Sequence, residues 1–229
     1  MPSELRLHQP TSRPCSGDLA FILRETALTP VPFVPEIRLH MADDAIALWE
    51  TTEKARGEAG MPPPFWAFAW AGGVAVTRYV LDHPELVAGR GVLDVAAGSG
   101  VVGVAAALSG AAWVRAAEID AYAVAAIELN AEANGVRVEG ALVDLVDGDG
   151  APADVVLAGD VFYERAMAAR FLPFLERAAA RGATVIVGDP GRAYLPRERF
   201  TAVAAYEVPV VADLEDASVK TTTVWRLGA

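Results

Sequence analysis

Leu93-Asp94-Val95-Ala96-Ala97-Gly98-Ser99-Gly100-Val101-Val102-Gly103 decides the fold. An apolar run interrupted by a carboxylate gives way to Gly-Ser-Gly and then to small apolar residues, the pattern of a buried strand, a tight turn and the first turn of a helix. Gly98, Gly100 and Gly103 satisfy G-x-G-x-x-G, in which glycine lets the backbone approach a ligand held at the helix N-terminus. Around this unit, short apolar runs alternate with alanine-rich stretches of helical length. The alternation predicts strands over residues 91–96, 113–118, 136–143, 154–158 and 183–188, and helices over 101–109, 121–134 and 164–180. Such a pattern builds a parallel sheet with helices on its faces. Two further strand-like stretches, 202–210 and 219–227, have only a loop between them and predict an antiparallel pair that closes the sheet.

Upstream, a short helix is expected over 18–25, and then Pro30, Pro32 and Pro35 remove amide donors and predict an extended arm. Ile37 and Leu39 alternate with polar neighbours as in a short half-buried strand over 36–40, and Asp43 or Asp44 is placed to cap a helix running to about residue 53. Gly57, Gly60 and Pro62-Pro63-Pro64 break the chain, and a helix over 74–81 precedes the first central strand. The expected division is an N-terminal extension over 1–64, covering the active-site side, and a sheet domain over 65–229.

The 229 residues are 53% hydrophobic and 21% charged with a net charge of −11, which supports a full core and excludes disorder for most of the chain. A single cysteine, Cys15, excludes an intrachain disulfide and a cysteine-based zinc site, and His8, His40 and His83 lack metal-ligand spacing, so no metal is expected. No stretch reaches the roughly 18 consecutive apolar residues that span a bilayer. Residues 1–14 carry Glu4, Arg6 and Arg13 where a signal peptide needs an apolar core, which makes a cytoplasmic location the expectation. Acidity argues against a nucleic-acid partner, because binding to phosphate backbones depends on clustered Lys and Arg.

Two ligand classes fit the glycine loop. In dinucleotide-binding folds an acid about 20 residues beyond the first glycine holds a ribose hydroxyl, and Glu118 stands at that distance from Gly98. Asp94, however, places a carboxylate where a pyrophosphate would lie. A ligand with a cationic amino group and ribose hydroxyls, but no phosphate, accepts both Asp94 and Glu118. S-adenosylmethionine is such a ligand.

The run Leu-Asp-Val-Ala-Ala-Gly-Ser-Gly at 93–100 resembles the first motif of the class I S-adenosylmethionine-dependent methyltransferases, and the order of elements over about 65–227 is similar to theirs. The resemblance implies an α/β, Rossmann-like seven-stranded sheet, mostly parallel with an antiparallel C-terminal strand pair. It implies S-adenosyl-L-methionine as cofactor and S-adenosyl-L-homocysteine as product. Glu118 matches the acid that holds the ribose hydroxyls, and Asp144 the position that takes the adenine amino group. The cofactor set it implies is completed by Trp70, Gly72, Gly73, Asp94, Ala96, Gly98, Gly100, Ile119, Leu145, Gly159 and Asp160. Asp120 is better placed as a cap for the following helix. Glu-Leu-Asn-Ala-Glu-Ala-Asn-Gly at 128–135 resembles that family's second helix, with an Asn-Gly stop.

Two segments narrow the acceptor. Leu-Ala-Gly-Asp-Val-Phe-Tyr-Glu at 157–164 lacks the prolines of enzymes that methylate nucleic-acid amino groups. It resembles the acid-x-x-aromatic signature, Asp160 to Tyr163, of seven-strand protein-lysine methyltransferases. Together with Pro-Phe-Trp-Ala-Phe-Ala-Trp-Ala-Gly-Gly at 64–73 and Pro-Glu-Ile-Arg-Leu-His at 35–40, it is most similar to the electron transfer flavoprotein beta-subunit lysine methyltransferases. Ala71 stands where that family is expected to carry proline. The implied partner is the electron transfer flavoprotein beta subunit, presenting an exposed lysine in a basic loop.

The chemistry also follows from the residues. Transfer from a sulfonium needs a neutral amine, whereas lysine has an ordinary pKa near 10.4, so the site must desolvate the ammonium or hand its proton on. Trp66, Phe68 and Trp70 alternate and, if extended, share one face; with Phe162 and Tyr163 they are candidates to line a channel for the lysine stem. Asp160 is expected to orient the incoming ammonium, with Tyr163 and Glu164 as companions. Three alternatives stay open on the residues: a small amine or nicotinamide-like acceptor, a NAD-dependent oxidoreductase without an evident hydride-transfer constellation, and a non-catalytic S-adenosylmethionine-binding module.

Overall fold

The computed structural model describes residues 15–148, 152–210 and 217–228, and the reading of residues 1–14 lies outside them. The chain opens with α1 (Ser16–Glu25), then β1 (Ala27–Val31) and β2 (Val34–Met41), which pair antiparallel as a two-stranded hairpin. Only the second strand was expected. The prolines that argued for an extended arm without a strand partner are tolerated because a two-stranded ladder leaves each strand one unpaired edge, and the register shifts at Pro30. Next, α2 (Ala45–Arg56) starts at Asp44, whose Oδ1 accepts the amides of Ile46 and Ala47 at 2.9 Å each. A single 3-10 turn, Phe65–Ala67, leads to α3 (Ala71–Asp82).

The remaining elements follow in the expected order: β3 (Gly91–Val95), α4 (Val101–Leu108), β4 (Trp113–Glu118), α5 (Ala121–Ala133), β5 (Glu139–Leu142), β6 (Val155–Gly159), α6 (Arg165–Ala180), β7 (Thr184–Asp189), β8 (Phe200–Pro209) and β9 (Val219–Leu227). Seven strands form one sheet in the order β5-β4-β3-β6-β7-β9-β8, with β3 to β7 parallel and β9 antiparallel to both its neighbours. The strand expected over 136–143 shortens to β5, an edge strand paired only with β4, because the Val136 amide bonds back to Ala131 O and belongs to the exit from α5. Strand order reverses between β3 and β6, so the glycine loop after β3 opens at the point where such sheets bind ligands.

Helices cover both faces. Valines and alanines of α3 and α4 join Ile127 of α5 against one face, and Phe171, Phe174 and Leu175 of α6 pack with Phe162 against the other. A third cluster joins Phe21, Ile22 and Leu48 of the N-terminal helices to Trp66, Phe68 and Tyr122, so α1 and α2 are seated on α5 and the 3-10 turn. Asparagines on α5 complete this seat. Asn130 Oδ1 accepts the His40 amide at 2.7 Å and its Nδ2 donates to Ser99 O at 2.8 Å, while Asn134 accepts from and donates to the backbone of Arg38. Two amide side chains therefore pair with backbone groups of β2, one at half-buried His40 and two at exposed Arg38.

Among the glycines of the described residues, a very close approach lies between α3 and the sheet. A Cβ built on Gly159 would lie 2.6 Å from both N and Cα of Gly73, and one on Gly188 would lie 2.7 Å from Gly72 C and 2.8 Å from Val76 Cγ2. Backbone rests on backbone, and a methyl group has no room. Gly188→Ala is expected to cost about 2 kcal/mol or more of stability, an overpacking penalty read in urea unfolding; a loss below about 0.5 kcal/mol would show that α3 can shift freely.

Candidate active site

The sheet's carboxyl edge collects the acids singled out in the sequence. Asp94, on β3, is 1% exposed, and its Oδ2 accepts the Gly103 amide at 2.9 Å, so it fastens the first turn of α4 to the strand from beneath the loop. Burial, opposed by that amide and reinforced by the charge of Glu118, pushes its pKa up to about 8. At the end of β4, Glu118 spans the loop: Oε1 accepts the Gly98 amide at 2.7 Å and Oε2 the Ile119 amide at 2.9 Å. Its pKa is also raised, by burial first, against the lowering effect of both amides. Gly98 and Gly100 adopt left-handed backbone, which turns the strand into the helix. Asp120 caps α5 through the Tyr122 amide at 2.8 Å, as expected.

After β5, Asp144 is exposed and pairs with Arg170 of α6 at 2.8 Å, next to half-buried Leu145. Arg170 also takes Asp147 at 2.6 Å, so the position expected to receive an adenine amino group is oriented by a guanidinium shared between two acids.

Asp160 follows β6 with φ 55, a left-handed conformation uncommon for a side-chain-bearing residue. Its amide donates to Gly188 O at 2.9 Å, and its Oδ2 accepts the Gly73 amide at 3.1 Å, at the N-terminus of α3. Arg192 approaches Oδ1 at 3.4 Å, and the carboxylate is only 11% exposed. Burial dominates, Arg192 and the glycine amides oppose it, and Asp189 adds repulsion; the pKa is raised to about 6. Asp189 ends β7 at 1% exposure, and its Oδ1 accepts the amides of Gly191 and Arg192 at 2.7 and 2.6 Å, which sets the loop that carries Arg192. Sequence reasoning missed Asp189, Arg192 and Arg170. Asp189 carried the signal that found the others, an acid closing a predicted parallel strand, whereas the arginines had no local pattern.

The aromatic wall differs from the expectation. Phe65–Ala67 turns as a 3-10 helix, so the run is not the extended strand that would align Trp66 with Phe68 and Trp70. Trp66 and Phe68 are buried in the N-terminal cluster, and Phe162 is buried against Phe200 at 5.9 Å between ring centres. The aromatics that face solvent near the glycine loop are Phe65, half-buried Trp70 and Tyr163. Trp70 Nε1 donates to Phe65 O at 2.9 Å, the rings of Phe65 and Trp70 lie 5.6 Å apart, and those of Phe65 and Tyr163 5.9 Å apart. Burial raises the Tyr163 pKa above its usual value, so the phenol is a hydrogen-bond donor rather than a base at neutral pH. Glu164 precedes α6 with an exposed side chain that makes no capping bond. Ala96, Ile119 and Gly159 stand at the same edge, as the ends of β3, β4 and β6 require.

This donor set fits a cationic nucleoside better than a phosphate. Glu118 already raises the cost of ionising Asp94, so a positive charge or hydroxyl donor relieves the site and a pyrophosphate aggravates it. Among the described residues no cluster of three His, Cys, Asp or Glu is arranged to hold a metal, and no helix is long and apolar enough to cross a membrane. A groove of about 1060 Å³ lies at the opposite end of the strands, lined by residues such as Trp113, Glu132 and Glu139.

A family model described as ribosomal protein L11 methyltransferase (PrmA) matches residues 77–186. The chain is 32% identical over 223 residues to the electron transfer flavoprotein beta subunit lysine methyltransferase of Xenopus laevis, covering 95% of this chain and 89% of that one. Against the Danio rerio protein of the same name the identity is 35% over 198 residues, 84% of this chain and 76% of that one. Among solved structures, the magnesium protoporphyrin IX methyltransferase of Synechocystis PCC 6803 with bound SAM shares the fold, with a TM-score of 0.51 at 16% identity over 68% of this chain and 78% of that chain.

A titration follows from Asp94. Its folded pKa, about 8, lies above the ordinary carboxyl value of 3.8, so between those limits the folded chain holds more protons than the unfolded one. The stability this group contributes is complete below the ordinary value and is lost as pH rises through about 8. The melting temperature is expected to fall between pH 6 and pH 9, and Asp94→Asn, which keeps an acceptor for Gly103, is expected to flatten that fall. An unchanged slope in the variant would assign the titration elsewhere.

Proposed function

The chain belongs to the family of electron transfer flavoprotein beta subunit lysine methyltransferases, and from that premise we propose that it methylates lysine on the electron transfer flavoprotein beta subunit, with S-adenosylmethionine as methyl donor. The observation that carries the reading is Asp160, a carboxylate fixed at the sheet's switch point by Gly73 and Arg192 and followed three residues later by exposed Tyr163.

Glu118 is the residue to hold ribose hydroxyls, Asp144 to accept from an adenine amino group, and the loop at Gly98 and Gly100 to bring backbone against the ligand. When bound, S-adenosylmethionine supplies an electrophilic methyl group on a sulfonium. The chain's task is then to present a neutral amine. Phe65, Trp70 and Tyr163 offer apolar and π surface to the lysine stem and attract its charge on approach, and exclusion of water there lowers the amine's proton affinity. Above about pH 6 Asp160 is ionised and accepts a hydrogen bond from the ammonium, which aims the nitrogen. A carboxylate of that strength does not hold the lysine proton, so the proton leaves to water before attack and frees the nitrogen lone pair for the methyl group. The chain's own lysines are only Lys54 and Lys220, so self-methylation contributes little background.

Intact-mass analysis of electron transfer flavoprotein incubated with the enzyme and S-adenosylmethionine is expected to show a gain of about 14 Da per methyl group on the beta subunit. The gain should be absent when that subunit's surface lysines are replaced. Asp160→Ala is expected to lower turnover by about 100-fold with cofactor affinity retained in calorimetry, and the wild-type rate should fall as pH drops below about 6. Cofactor binding without any mass gain would move the acceptor to a small amine, and unchanged turnover in Asp160→Ala would remove that residue from the mechanism.

A further inference from the structure

The N-terminal elements leave an apolar ridge that runs into the mouth of the site. On α2, Ile46 is 70% exposed and Trp49 37%, while Leu48 and Thr52 on the opposite face are buried. Positions three apart are neighbours on a helix, so Ile46 and Trp49 form one patch. Trp49 Nε1 donates to Met61 O at 2.8 Å, and Glu53 Oε1 accepts the amides of Gly60 and Met61 at 2.6 and 3.1 Å, which folds the segment after α2 back along the helix. That segment continues through exposed Pro62 and Pro63; the Phe65 amide donates to Pro63 O at 2.7 Å, and the Phe65 ring meets Tyr163 beside Asp160.

Two physical features make this a prepared surface rather than scattered exposure. The indole of Trp49 is already held by its hydrogen bond, and prolines have little backbone freedom left, so a partner pays little ordering entropy to bind them. Anchored aromatics of this kind carry a large share of binding energy in protein interfaces. Charge then selects the partner. Asp43, Glu50 and Glu58 are exposed along α2 and its exit and outnumber exposed Lys54 there, and Glu164 is exposed at the far end beside Arg165, which lies over the Tyr194 ring at 5.4 Å, whereas Arg56 of α2 is turned onto Asp18 at 3.2 Å and over the Tyr122 ring at 4.3 Å. The ridge is therefore apolar with acidic flanks.

We propose that this ridge is the docking surface for the protein substrate, taking a segment in which apolar residues and flanking cations accompany the acceptor lysine. The inference rests on the lysine-methyltransferase reading and explains how the enzyme selects a folded protein over a free amine. The large groove at the opposite end of the strands cannot serve this purpose, because a segment seated there is separated from Asp160 by the length of the sheet.

Steady-state kinetics on intact electron transfer flavoprotein test it. The double variant Ile46→Ser/Trp49→Ala is expected to raise KM for the flavoprotein about tenfold or more, with kcat and S-adenosylhomocysteine affinity at wild-type values. Glu50→Lys is expected to raise KM and to weaken the dependence of rate on salt. Wild-type KM in the double variant overturns the ridge while leaving the methyltransferase reading intact. If the double variant loses stability, Ile46→Ser alone decides, since its side chain is largely in solvent, and an unchanged KM in that single variant is equally decisive against the ridge. Absence of transfer by the wild type overturns the function reading and takes the ridge with it.

Discussion

Glycine hydrogens are all that separate the first turn of α3 from the carboxyl ends of β6 and β7, and the site depends on that approach. Because Gly72 and Gly73 rest on Gly159 and Gly188, the α3 amides come within hydrogen-bonding reach of the residue that follows β6. Asp160 is thereby held in a left-handed backbone conformation that costs on the order of 1–3 kcal/mol on its own. Its amide bond to Gly188 O and its carboxylate bond to Gly73 make that conformation the only one that satisfies its surroundings. A side chain at Gly72, Gly159 or Gly188 would lift the helix and release the Asp160 carboxylate.

Electrostatics sharpen the same point. Asp94, Glu118, Asp160 and Asp189 close four parallel strands or follow them directly, and burial raises the pKa of each. Such an edge is too rich in carboxylates for its own stability, with backbone amides and Arg192 offsetting only part of the cost. It is suited to ligands that arrive with positive charge or hydroxyl donors, as a sulfonium nucleoside and a lysine ammonium both do. A dinucleotide would add two phosphate charges beside two carboxyls whose ionisation burial already disfavours. The acidic surface as a whole extends that preference outward to the flanks of α2.

Much of this was legible in the sequence because it is local. β4 and β9 have the bounds that their apolar runs predict, Asp120 caps α5, and Asp94, Glu118 and Asp144 stand near the ends of successive strands, where short apolar runs give way to an acid. What escaped depends on partners distant in the chain. The N-terminal hairpin was hidden by its prolines, and its edge is satisfied by Asn130 and Asn134, some 90 residues away, which read locally only as a helix and its stop. Alternation of Trp66, Phe68 and Trp70 suggested a strand face, yet a 3-10 turn sends the first two into the core, since burying Trp66 against Tyr122 gains more apolar contact than an extended segment could. Arg192 reaches Asp160 only because Asp189 shapes the loop between them, a tertiary fact with no sequence period.

The central claim is that the cofactor lies across the carboxyl edge at the strand-order reversal. Hydrogen–deuterium exchange with and without S-adenosylhomocysteine tests it most directly, since backbone amides of the loop are themselves the expected contacts. Added protection is predicted over residues 96–100, 118–120 and 144–146, with residues 135–140 in the opposite groove unchanged. Protection confined to 135–140, with the glycine loop exchanging as before, would contradict it.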